Sequence, residues 1–386
     1  MLKKSMMAKH KPQGIKGDRA VFITGTGHYL PGKPVETAML AEQWPEIPIN
    51  TAMRYFGVEH RHLVIDPRTG ERGTIEVHGT EVPLGTTEMA AQAAMRAMAS
   101  AGVSVEEVDL VITNSTTPDA ALPPVTLLLQ RRLGLGAVQM IDLRGGCAAG
   151  IQALTIAAMM VRGALAETVL VAGSECTSPF YFRKLQMVAQ DASMNDVLNG
   201  LLFADGAGAI VVQDASVAHP EAECRLSVGF TGTRSCFPEE KVGFELYPKP
   251  GGGVETHHDH RAIRRTLPRV VARAYEELVR YGTVSPGEYD LVIVPQVNRS
   301  MIEMVTGRGN EMNDRLFYIG HETGNVPAAA MMMALDMARR RGCLPPRGSI
   351  GVLSVETTSW MFAVAELSVG ADCLLKSQIS TPEVLA

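Results

Sequence analysis

Cys147 sits in the run Arg144-Gly-Gly-Cys-Ala-Ala-Gly150, between a β-like stretch from Val138 to Leu143 and an amphipathic helical stretch from Ile151 to Val161. A strand that turns into a helix through small residues holds a side chain at the helix start, where free N–H groups and the positive dipole end favour a thiolate and an oxyanion. That is the chemistry of acyl transfer through a cysteine nucleophile. A buried structural cysteine is the competing reading; the glycine and alanine flanks favour the nucleophile. Two residues could move protons beside it. His321 lies four positions before Asn325 in Gly320-His-Glu-Thr-Gly-Asn, and an unperturbed imidazole titrates near neutrality. Glu356, in Val355-Glu-Thr-Thr-Ser-Trp360, reads either as a pocket carboxylate acting on a hydroxyl, amine or carbon acid, or as a surface-turn acid.

Other chemistry-bearing residues carry less. His257, His258 and His260 have metal-like spacing but no neighbouring cysteine, so a solvated loop is expected and no metal site. Gly25-Thr-Gly27 lacks the third glycine of a dinucleotide loop and predicts a simple turn. The six cysteines form no CxxC pair and predict free thiols, with no redox cofactor implied.

The 386 residues carry a net charge of −5, which gives no electrostatic reason to bind nucleic acid. Apolar runs such as Ala153 to Val161 are too short to span a bilayer, so membrane insertion is not expected and a cytoplasmic location is.

The elements that position Cys147 are legible as an internal repeat. A helical run from Glu88 to Ala101 leads to the strand Asp109-Leu-Val-Ile, and a helical run from Arg269 to Tyr281 leads to Asp290-Leu-Val-Ile. A helix from Ala148 to Arg162 precedes Gly173-Ser-Glu, and one from Ala328 to Arg341 precedes Ser354-Val-Glu. Two duplicated βαβ-type halves follow, an α/β chain with mostly parallel, buried strands. The expected limits are a mobile arm over 1–19, a first half over 20–233 with Cys147, a loop or excursion over 234–259, and a second half over 260–386.

Gly146-Cys-Ala-Ala-Gly150, Phe203-Ala-Asp-Gly-Ala-Gly-Ala-Ile210 and Gly324-Asn-Val-Pro-Ala-Ala329 resemble, in order and separation, three landmarks of the β-ketoacyl-acyl-carrier-protein synthase III family. The resemblance implies the thiolase-like fold, layered α-β-α-β-α, and a homodimer paired through a strand near the nucleophile. It matches Cys147 to the cysteine that takes an acyl group from coenzyme A or an acyl carrier protein, and Asn325 to the asparagine that assists the second substrate. No permanently bound cofactor is implied; the phosphopantetheine thioester is substrate, and an acyl carrier protein is the expected partner. Asp205 with its glycines reads as structural.

The chain departs from the family at three places. Val294-Pro-Gln-Val-Asn298 puts Pro295 where the family histidine stands. Glu356 and Thr357 replace glycines of an oxyanion turn, and Thr51 replaces a tryptophan that stacks on coenzyme A, which favours a carrier-protein donor. The expected function is an acyltransferase or condensing enzyme in lipid or polyketide biosynthesis. The alternative is a catalytically silent, thiolase-like partner subunit.

Overall fold

The computed structural model describes residues 19–45, 47, 49, 57–181, 194–220, 222–248, 254–284, 287–296 and 315–370. Ten strands pair into one sheet: β1 (Val21–Tyr29), β2 (Leu110–Asn114), β3 (Gln139–Leu143), β4 (Thr168–Glu175), β5 (Gly206–Asp214), β6 (Leu226–Ser235), β7 (Leu291–Ile293), β8 (Leu316–Phe317), β9 (Gly348–Glu356) and β10 (Met361–Val369). Their spatial order is β8-β7-β9-β10-β6-β1-β5-β4-β2-β3. The six longer helices are α1 (Thr86–Ala101), α2 (Val125–Leu133), α3 (Ala149–Arg162), α4 (Met194–Leu202), α5 (His260–Tyr281) and α6 (Ala330–Arg340).

The order describes two leaves with one topology. In the first, β2 runs parallel to β3 and β4, and β5 runs antiparallel to β4 and β1. In the second, β7 runs parallel to β8 and β9, and β10 runs antiparallel to β9 and β6. The leaves join through a short antiparallel pairing, Phe22 opposite Ser227 and Ile23 opposite Leu226. Helices α3 and α6 lie between the leaves, in a core fed by strands of both. Helix α1 covers the outer face of the first leaf and α5 that of the second, each over its own apolar cluster. The result is the α-β-α-β-α layering expected from the repeat.

Three expectations change. The sheet is not mostly parallel: four pairings are parallel and five antiparallel among the described residues. The short link from Glu356 to Met361 allows only an antiparallel neighbour, whereas the parallel pair β2 and β3 is joined through α2. The excursion over 234–259 is in part a hairpin, Phe244–Pro248 paired with Val254–His258. Strand β6 ahead of it takes the place in the second leaf that β1 takes in the first, so the second leaf begins at Leu226 and not at 260. Finally, Gly25-Thr-Gly27 is no turn but part of β1. A Cβ on Gly25 would lie 2.1 Å from the Ala97 carbonyl and one on Gly27 2.4 Å from that of Ala93, so the two glycines let α1 lie directly on the strand.

Candidate active site

Cys147 stands where β3 ends and α3 begins. The Gly145 N–H donates to Asn114 Oδ1 at 3.2 Å, and the Ala149 N–H donates to the Gly146 carbonyl at 3.2 Å, which closes the corner. Ser354 on β9 donates its hydroxyl to the Cys147 carbonyl at 2.7 Å, so the second leaf also holds the Cys147 loop. The sulfur is partly buried and free.

Asn325 reaches the same place from the other half. Its N–H donates to the Leu202 carbonyl at 2.9 Å and its carbonyl accepts from the Ala204 N–H at 2.9 Å, a parallel bridge that anchors it beside the strand leading into β5. Gly324 before it has φ +69°, and a Cβ there would come 2.7 Å from Ala204 Cβ and 3.1 Å from Arg61 Cβ, so only glycine fits this close crossing. The side chain is buried, and Asn325 Oδ1 lies 4.0 Å from Cys147 Sγ. Asp205, two residues after the bridge partner Phe203, is fully buried. It accepts the N–H groups of Val64, Thr177 and Ser178 at 2.6, 2.5 and 2.9 Å, a clamp between three loops.

Glu356 ends β9 with its side chain turned inward, only 5 % exposed. Its Oε2 accepts the Gly146 N–H at 3.0 Å, and its Oε1 accepts the Thr358 hydroxyl. It lies against Gly146, whose missing side chain leaves that space open. Burial pushes this carboxyl up, against the lowering effect of the Thr358 hydroxyl and the N–H groups of Gly146 and Ala148. A second buried acid, Glu175, ends β4. It accepts the Thr116 N–H, the Thr116 hydroxyl at 2.8 Å and the Thr117 hydroxyl at 2.5 Å, yet burial raises its pKa to about 7. Burial also pushes the Cys147 thiol up to about 12, with Glu356 and Glu175 adding to the shift.

The remaining candidates divide. His321 lies in the short helix Gly320–Thr323; its carbonyl accepts the Glu59 N–H at 2.8 Å and its ring leans on Tyr318 at 5.7 Å. No hydrogen bond among the described residues joins that ring to Cys147 or Asn325. Pro295 is buried, and neighbouring Gln296 bonds only to backbone, donating to the carbonyls of Val294 and Phe317 at 2.6 and 3.1 Å and accepting the Ile319 N–H at 2.7 Å. Asn298 and Thr51 lie outside the described residues. The histidine run is no solvated loop. His258 ends a hairpin strand, bonds Asn199 at 2.7 Å and stacks on His260 at 4.2 Å, and burial, aided by His260, lowers its pKa to about 3. Phe244 touches both His258 and Phe203, the bridge partner of Asn325. Ser354, Asn114 and the fit between Gly146 and Glu356 were invisible in the sequence; the one available signal was that Ser354-Val-Glu repeats the strand-end glutamate of Gly173-Ser-Glu.

Two family comparisons agree with this geometry. The sequence model of 3-oxoacyl-acyl-carrier-protein synthase III matches residues 141–226, and that of its C-terminal domain matches 280–357. Similar solved structures include AbyA1, a tetronic acid condensing enzyme, with TM-score 0.78 and 25% identity over 90% of this chain and 99% of that one. The 3-oxoacyl-acyl-carrier-protein synthase III of Aquifex aeolicus gives 0.72 and 25% over 90% of this chain and all of that one, 100%. Xanthomonas campestris OleA, at 19% identity and TM-score 0.75 over 91% and 99%, shares the fold. The chain thus has the thiolase-like fold of the acyl-transferring condensing enzymes. Over residues 141–226 and 280–357 it matches the two domain models of the 3-oxoacyl-acyl-carrier-protein synthase III family, and the likeness to the Aquifex aeolicus enzyme supports a member of that family.

Proposed function

We propose that Cys147 takes an acyl group from an acyl thioester and passes it to a second substrate held by Asn325, in lipid, polyketide or other secondary-metabolite biosynthesis. The observation that carries this reading is the meeting of Cys147, at the start of α3, with Asn325 from the opposite half, 4.0 Å from the sulfur. In the first half-reaction the Cys147 sulfur attacks the thioester carbon, the donor's C–S bond breaks, and the cysteine's proton passes to the departing donor sulfur. In the second, the amide of Asn325 donates to the acceptor's thioester carbonyl, and the acceptor displaces the cysteine. Such positioned donors act most strongly where water is excluded.

A carrier protein fits as the donor's vehicle. His260, Arg261, Arg264 and Arg265, on the first turns of α5, line an open cavity of about 470 Å³, a basic recess suited to an acidic partner and a phosphopantetheine phosphate. A homodimer is supported by β3, the last strand of the sheet, whose free edge exposes Gln139, Met140 and Asp142 beside the Cys147 loop. Cys147, Cys176, Cys236 and Cys343 are free thiols, which fits a reducing compartment such as the cytoplasm. Among the described residues no helix is long and apolar enough to cross a membrane.

Intact-protein mass spectrometry after incubation with acyl-coenzyme A and acyl-carrier-protein donors tests the proposal. One acyl mass on the native protein, absent from Cys147→Ala, is expected. Absence of labelling from every donor, with co-purification of a related subunit, would replace it by a silent-partner role.

A further inference from the structure

We propose that Glu356 is the proton acceptor of the transfer step, and that it commits the site to an uncharged acceptor carrying a hydroxyl or an acidic C–H rather than to a carboxylated extender. The inference rests on the acyl-Cys147 reading above and names the acceptor class for that site.

The geometry places a carboxylate where the second substrate must arrive. Glu356 Oε2 is bonded to the Gly146 N–H, one residue from the nucleophile, and the carboxyl fills the space left by the glycine. Its aim is fixed at both oxygens, by that N–H and by the Thr358 hydroxyl. The two groups whose charge raises the thiol are both carboxyls, Glu356 and Glu175, and neighbouring Arg144 is exposed. A carboxylate on the acceptor would meet like charge inside a buried site, a strongly unfavourable encounter. The other described groups are engaged elsewhere or cannot titrate: Glu175 is held by Thr116 and Thr117, Pro295 has no titratable group, Gln296 is consumed by backbone, and the His321 ring packs on Tyr318.

The step balances without decarboxylation. The acceptor's O–H or C–H bond breaks and its proton goes to Glu356. The new bond forms to the acyl carbon, the C–S bond to Cys147 breaks, and the proton passes from Glu356 to the departing sulfur. No carbon dioxide is released. A carboxyl raised by burial is a stronger base than an exposed one, and a thiol raised by burial takes the proton back readily.

The test separates the two half-reactions. Acyl-Cys147 enzyme is prepared with whichever thioester labels it, then given acetoacetyl-coenzyme A, 3-hydroxybutyryl-coenzyme A, or malonyl-coenzyme A carrying ¹⁴C in its free carboxyl. The native enzyme should discharge to one of the first two and release no labelled carbon dioxide from the third. Glu356→Gln should still be acylated, which also reports its folding, but discharge about 10²–10⁴-fold more slowly. Glu356→Asp should recover part of the rate. Thr358→Val, which removes a donor that lowers the carboxyl, should move the acid limb of the discharge profile to higher pH. Discharge by Glu356→Gln at the native rate, or labelled carbon dioxide in step with acyl transfer, would overturn the inference and leave acyl-Cys147 standing. Failure of every donor to label Cys147 would overturn both.

Discussion

The two leaves end equivalent strands, β4 and β9, on buried glutamates near the same sulfur, and they use them differently. Glu175 accepts the N–H and hydroxyl of Thr116, the hydroxyl of Thr117 and the Ala328 N–H, so it ties the loop after β2 to the sheet. Glu356 has fewer donors and faces the nucleophile corner of the other half. Duplication supplies the same residue twice, and the loop opposite it decides whether it acts as a clamp or a reagent. A third buried acid, Asp336 on α6, sharpens the contrast. Burial alone would raise it, but His28 at 2.5 Å, Thr26 at 2.6 Å and Arg340 at 2.8 Å hold it well below the usual carboxylate range. Cations surround the acid that builds the fold, and none contributes to the two beside Cys147.

The comparison breaks first if the two glutamates prove interchangeable. Glu356→Gln should lose acyl discharge by about 10²–10⁴-fold with little change in stability, while Glu175→Gln should keep discharge. Stopped-flow transfer and denaturant melts on both variants decide it. Next, Asp336→Asn leaves His28 and two arginines facing a neutral amide and should cost about 3–5 kcal/mol, read from the denaturation midpoint.

The pH dependences should have opposite signs. Asp336 is depressed, so its contribution is present above the unfolded carboxylate value of about 3.9 and is lost as pH falls toward its folded value. Glu175 is raised to about 7, so the folded state holds its proton longer and this group's contribution falls as pH rises from about 4.3 to 7. Glu175→Gln should flatten that fall and cost about 1–3 kcal/mol near pH 5, where its hydroxyl partners lose a matched acceptor. Melting temperatures between pH 4.5 and 7.5 show whether the slope disappears. The smallest effect is at the basic recess: Arg261→Ala with Arg264→Ala should slow association with an acyl carrier protein, and the deficit should shrink as salt is added, measured by stopped-flow binding.

The repeat was readable because buried strands and crossover helices leave local patterns. Leu110 to Ile112 is apolar and wholly buried, and Gly102 and Gly134 end α1 and α2 in the left-handed conformation. Strand β6 was not readable. It is only partly buried, and its apolar alternation at Leu226, Val228 and Phe230 gives way to a polar, glycine-containing tail that reads as one with the excursion after it. The Gly25–Gly27 notch was misread because a glycine pair looks the same in a turn as under a packed helix.

The sequence by itself determined the duplicated α/β plan, the strand-to-helix corner at Cys147 and the Gly-Asn run at Asn325, since each is set by neighbours a few residues apart. The tertiary structure alone decided that Asn325 lies within 4.0 Å of the sulfur, 178 positions away, and that Glu356 caps Gly146 from 210 positions away. Those contacts depend on how two leaves register across the central helices, and no local periodicity encodes that register.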